Sequence, residues 1–152
     1  MKKIAKKLIK YSLVFIIFSF LGSLLEFISS LIFKKGVAYD KTIFLITGLK
    51  LFFIPFYGLV GMILLSTENL MSKYKVKICI RGFVHGLTIT ILELIFGYLG
   101  FLLFNVKLWD YSSHLINFQG YISLEMFLFW SIMGFVFSFS ECLIKKLIKF
   151  LR

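Results

Sequence analysis

Six ionisable side chains, Glu26, Lys50, Arg81, His85, Glu93 and Glu141, stand inside stretches built mainly from Phe, Leu, Ile, Gly and Ser. A charge in such surroundings costs roughly 3 kcal/mol on membrane-insertion scales, so it faces other helices and finds a partner. Two chemistries suit the set. Paired charges fix the register of neighbouring helices, and a line of them makes a polar path for an ion or a small substrate. The side chains do not suit hydrolysis or metal chemistry. There is no H-E-x-x-H, no paired histidines and no Ser/His/Asp arrangement. His85 and Glu93 are eight residues apart, about 12 Å along a helix and about 80° around it, too far to share one metal. Cys79 and Cys142 have no nearby His partner and read as structural thiols.

The elements that must position these residues are long apolar segments. A bilayer-crossing helix takes about 20 mostly apolar residues. Four stretches meet that length, at about 8–33, 42–65, 78–104 and 121–144. Strand-like alternation is absent, which argues against a transmembrane barrel. The chain therefore reads as one all-α membrane domain over residues 1–152, a polytopic bundle of four spans. Ser12, Ser19, Gly22, Ser23, Glu26 and Ser30 form a small, polar stripe on the first stretch. Ser131, Gly134, Ser138 and Glu141 repeat it on the fourth, and Gly82 and Gly86 stand one turn apart on the third. Such stripes allow close helix approach. Counted from the outer ends, Glu26, Lys50 and Glu93 lie at about 10–17 Å depth, so Lys50 is expected to pair with Glu26 or Glu93. Arg81, His85 and Glu141 form a second, inner group. Glu125, at the outer edge, could reach inward.

Composition agrees. The chain has 152 residues, 60% hydrophobic, 16% charged and 19% aromatic, with a formal net charge of +11. Soluble domains carry about 25% charged residues, and disordered tails are poor in aromatics. The positive charge is also not spread as a nucleic-acid surface would need. Thirteen cations fall in the tail 1–10 (Lys2, Lys3, Lys6, Lys7, Lys10), the segment Lys73–Arg81 and the tail 145–152. Four fall in the other two loops, as Lys34, Lys35, Lys41 and Lys107. Cytoplasmic loops carry the excess of Lys and Arg, so both termini are expected in the cytoplasm and the 105–120 loop outside. The Lys/Ile/Leu/Phe tails suit the anionic inner leaflet. The start has the basic and apolar regions of a signal peptide, but the apolar run continues to Phe33 with no small-x-small site before Glu26. A retained anchor is expected.

The outer loop reads NVKLWDYSSHLINFQG and leads into YISLEMFLFW. Trp109, Tyr111 and Tyr121 suit a membrane–water interface, and Asp110 followed by Tyr111-Ser112-Ser113 suits side-chain-to-backbone turns. With these residues the chain resembles bacterial membrane proteins of the type IV, CmpB-like family of ABC-transporter permeases. The likeness rests on Glu93, the string Trp109-Asp110-Tyr111-Ser112, Asn117 and Gly120 of an N-x-x-G segment, and Trp130 with Gly134. Ser19-Phe20-Leu21-Gly22 with Glu26, and Pro55, Tyr57, Gly58 and Gly61, extend it over most of residues 19–137. The family's usual N-R-G and G-P ahead of P-x-Y-G are replaced here by LITGLKLFFIPFYG, which introduces Lys50.

The resemblance implies a multi-pass transporter subunit of the bacterial cytoplasmic membrane, needing no cofactor of its own. The chain has no P-loop and no long cytoplasmic coupling loop. Any ATP-driven role implies a separate ATPase subunit and a homo- or hetero-oligomer, since four helices enclose little. Two other readings stay open: a non-catalytic membrane scaffold, and a membrane enzyme on a lipid-linked substrate using Glu93, His85 or Asp110.

Overall fold

A computed structural model describes residues 2–33, 53–105 and 107–150. Among these there are four helices, α1 (Lys2–Phe33), α2 (Phe53–Lys73), α3 (Ile78–Phe104) and α4 (Leu124–Phe150). A two-residue antiparallel hairpin, β1 (Asn117–Phe118) and β2 (Ile122–Ser123), precedes α4. The predominantly helical class expected from the sequence is therefore found. Two windows, Ile78–Leu103 and Leu124–Cys142, are long and apolar enough to cross a membrane.

Helix ends depart from the apolar stretches for identifiable reasons. Lys is a good helix former, so the start of α1 and the end of α4 run through the basic segments. The second stretch was expected over 42–65 with a kink at Pro55. Residues 34–52 lie outside the described ones, and Pro55 falls in the first turn of α2, where a missing N–H costs no helical bond. α2 continues two turns past Leu65 to Lys73. It stops in a Schellman turn: Val76 N–H donates to Met71 C=O, Lys75 N–H donates to Ser72 C=O, and Lys75 takes φ 54°. Asn105, with φ 53°, closes α3 in the same left-handed region. α4 begins at Leu124 rather than Tyr121, because Ser123 caps it by accepting the Met126 N–H. Before it, Ile122 and Ser123 form β2, and residues 118–121 form the hairpin turn, with Gln119 and Gly120 both at positive φ and Tyr121 N–H bonded to Phe118 C=O.

The chain divides into two compact units, residues 1–65 with 96–109, and residues 66–95 with 110–152. In the first, the small residues of α1 and α2 meet. A Cβ on Gly22 would strike Tyr57, one on Gly58 would strike Ser19 and Phe15, and one on Gly61 would strike Phe18. Phe56 packs edge-on against Phe96 at 4.9 Å and lies 5.8 Å from Trp109, which is buried. In the second, α3 and α4 touch through Gly82, Gly86 and Gly134. A Cβ on Gly86 would lie 2.8 Å from Ser131 Cα, and one on Gly134 would lie 2.9 Å from Gly82 O. The small-residue stripes are thus the contact faces.

Apolar side chains such as Phe56, Val60, Leu64, Leu65 and Ile89 are buried, but many more are exposed than a soluble protein would leave, while several polar ones are buried. Buried side chains include Ser19, Ser23, Glu68, His85, Thr90, Glu93, Ser123 and Ser138. Leu13, Ile16, Phe20, Ile91, Ile95, Leu128, Ile132 and Phe139 are exposed, among many others. Of the two long apolar windows only 33% (α3) and 11% (α4) is buried. A core helix in a soluble domain would be mostly covered.

Candidate functional site

The second unit holds two polar nodes. The first forms where α2, α3 and α4 converge. Glu68, 1% exposed, takes the Arg81 guanidinium on Oε1 (Nη1, 2.7 Å). On Oε2 it takes the Ser138 hydroxyl (2.7 Å) and His85 Nε2 (3.2 Å). A carboxylate only accepts, so Nε2 carries a proton; Nδ1 faces Thr67 Oγ1 at 3.4 Å. Arg81 also donates through Nε to Val76 C=O at 2.8 Å, which ties the node to the turn that ends α2. The local sequence explains this assembly. The tight α2–α3 turn runs the helices back to back, so Glu68 and Arg81, nearly equidistant from Lys75, come opposite each other. Gly82 and Gly134 bring the α3 and α4 backbones close enough for Ser138 to reach the same carboxylate.

The node brings together Arg81 and His85, as the sequence suggested, but on Glu68, which the sequence reading left out. Glu141 lies one turn beyond Ser138 and is half-buried. In low dielectric an unpaired carboxylate is costly. Here one guanidinium balances its charge, and Ser138 and His85 donate to its second oxygen.

The second node fastens the loop between α3 and α4. Glu93 is buried, and its Oε1 accepts both Trp130 Nε1 (2.9 Å) and Tyr111 Oη (3.1 Å). α3, the loop and α4 thus meet on one carboxylate. The loop is internally braced. Asp110 Oδ1 accepts the Ser112 N–H at 3.0 Å and also the Ser112 hydroxyl, the side-chain turn expected there. Asn117 Oδ1 accepts the Gly120 N–H at 3.0 Å, and its Nδ2 donates to His114 C=O at 2.9 Å. Gly120 holds φ 75°, a conformation that disfavours any Cβ. Tyr111 stacks on His114, whose Nδ1 lies 2.7 Å from Ser123 Oγ. Glu125 stays with the loop, accepting Leu115 N–H at 3.0 Å rather than reaching inward to the buried charges.

The expected Lys50 pair cannot be placed: Lys50 and the Glu26 side chain lie outside the described residues. Among the described residues no cluster of three His, Cys, Asp or Glu side chains could hold a metal ion.

Both nodes and the braced loop fall within one further finding. The family model described as "Putative ABC-transporter type IV" matches residues 13–152. The chain belongs to this family. The match extends through α4 beyond the 19–137 resemblance, and it takes in Glu68 together with the WDYS string. No curated protein and no solved structure matches the chain.

Proposed function

We propose that the protein is the membrane subunit of a transporter, a single membrane domain crossing the bacterial cytoplasmic membrane four times with both termini in the cytoplasm. The observation that carries the membrane reading is the pairing of buried Glu68, His85 and Glu93 with Leu, Ile and Phe exposed along both long apolar helices. Family membership supports the transport role. The concentration of Lys and Arg in the tails and the Lys73–Arg81 segment supports the orientation.

In this reading α3 carries two polar nodes, one toward its cytoplasmic end and one, on Glu93, near the middle of the span. Glu68, Arg81 and His85 lie toward the cytoplasmic end, and Glu93 holds the outer loop over the opposite end. Glu26, Lys50 and Glu93 line or gate the path between them, and Trp109, Asp110, Tyr111 and Ser112 close its outer mouth. Energy comes from a separate nucleotide-binding subunit, in a homo- or hetero-oligomer. A second reading, a non-catalytic scaffold, is favoured by the saturation of Glu68 with three donors, which suits a fixed joint.

Copurification from native membranes tests the proposal. An associated ATPase whose turnover changes when this subunit is present supports transport. If Glu26→Gln, Lys50→Met and Asp110→Asn each leave that turnover unchanged, the polar path is wrong and the scaffold stands. Orientation is read separately by labelling a cysteine at Ser113 after Cys79→Ser and Cys142→Ser. Reaction only from the cytoplasmic side would reverse it.

A further inference from the structure

The outer loop buries Trp109 and Tyr121 yet holds three large apolar side chains outward. Leu115 is 92% exposed, Ile116 57% and Phe118 51%. Their exposure is built in, because the backbone that carries them is bonded from several sides. Leu124 N–H donates to Ile116 C=O at 2.9 Å, Leu115 N–H to Glu125 Oε1 at 3.0 Å, and Phe118 pairs with Ile122 across the hairpin. Asn117 fastens His114 C=O and Gly120 N–H.

Those bonds also fix the level of the tip. Ile116 is joined to Leu124, the first residue of α4, so residues 115–118 lie beside the first turn of a helix long enough to span. The window Leu124–Cys142 has 19 residues, about 28 Å at 1.5 Å each, close to the hydrocarbon thickness of about 30 Å. Its first turn therefore sits at the edge of that layer. On α4, Leu124, Leu128 and Ile132 are also exposed. A loop can approach lipid only if its backbone polar groups find partners within the protein. The bonds above supply those partners over much of residues 114–121.

We propose that Leu115, Ile116 and Phe118 form a lipid anchor, sunk into the interfacial layer of the bilayer beside the start of α4. This rests on the membrane reading above. In the proposed orientation the leaflet is the outer one. The anchor holds the WDYS loop down on the membrane while the Glu93 node holds it to α3 and α4.

Site-directed fluorescence in phospholipid vesicles tests this. An environment-sensitive fluorophore is attached in turn at Ile116→Cys, Ser113→Cys and Ile132→Cys in the full chain lacking Cys79 and Cys142. The vesicles contain lipids spin-labelled either near the top or near the methyl end of the acyl chain. The expected result is blue-shifted emission at 116, quenched most by the shallow label. Position 132, eight residues or about 12 Å further in, is quenched most by the deep label. Position 113 is quenched only from water. If 132 reports deep lipid while 116 behaves like 113, the anchor is wrong and the membrane reading survives. If 116 is shielded from both lipid and water, a protein surface covers the tip and the anchor is again wrong. If 132 also reports water, the membrane reading fails with it.

Discussion

Replacing Glu68 by Gln keeps the number of heavy atoms in the side chain but removes the one negative charge on which Arg81, His85 and Ser138 converge. The amide keeps one acceptor oxygen, which can stay on Arg81 Nη1. Its NH2 then faces Ser138 Oγ, which can turn to accept, and His85 Nε2–H, which cannot unless the ring changes tautomer. The Arg81 bond changes from an ion pair to a weaker guanidinium-to-amide bond. A guanidinium only 15% exposed is also left without its counter-charge. Breaking a buried pair costs about 3–5 kcal/mol. Residual solvent access and the Val76 carbonyl soften this, so about 2–4 kcal/mol is expected. At about 2–4 °C per kcal/mol for a chain of this size, Tm should fall by about 5–15 °C. Thermal unfolding in detergent, followed by the fluorescence of Trp109 and Trp130, reads the shift. The double variant Glu68→Gln, Arg81→Met removes both charges. Its loss should be smaller than the sum of the two single losses by about 1–3 kcal/mol. A Glu68→Gln protein melting within about 2 °C of the parent, or a strictly additive double variant, would refute the reasoning.

Three further outcomes follow from the same contacts. Gly86→Leu places a side chain where even a Cβ meets Ser131 Cα at 2.8 Å; overpacking there should cost about 1–3 kcal/mol, read as lowered Tm, whereas Leu87→Ala on the exposed face should cost far less. Trp130→Phe keeps the ring but removes the donor to Glu93 Oε1. It should cost about 1.5–3 kcal/mol and raise protease cleavage within residues 105–120, since the Glu93 joint holds that loop; unchanged cleavage would mean the joint does not hold it. Gly120→Val forces a β-branched residue to φ 75°, a strain of about 1–3 kcal/mol, and should likewise increase loop cleavage, with Gln119→Ala as the mild control.

The parts of this fold legible in sequence are those that composition and spacing encode. Apolar length located α3 at its observed bounds but stopped six residues short of the start of α1 and of the end of α4. The small-residue stripes marked the faces that touch, Gly82 and Gly86 against Ser131 and Gly134. The Asp110 turn was readable because Asp followed by Tyr-Ser-Ser has few other ways to satisfy its carboxylate. Glu68 was not, for a physical reason. A search for charges inside apolar windows stops at Leu65, where the window turns polar with Ser66-Thr67-Glu68, and that run looks like the beginning of a loop. The helix continues because its partners lie across the turn. The turn itself carries no glycine signal, since Lys75 takes the left-handed position that Gly usually fills. One clue was present: a tight turn near Lys75 makes residues equidistant from it into neighbours, and Glu68 and Arg81 satisfy that count. Hydropathy finds charges that are expensive because lipid surrounds the helix. It misses one that is buried at a helix crossing, as Glu68 is, bonded to Arg81 and His85 of α3 and to Ser138 of α4.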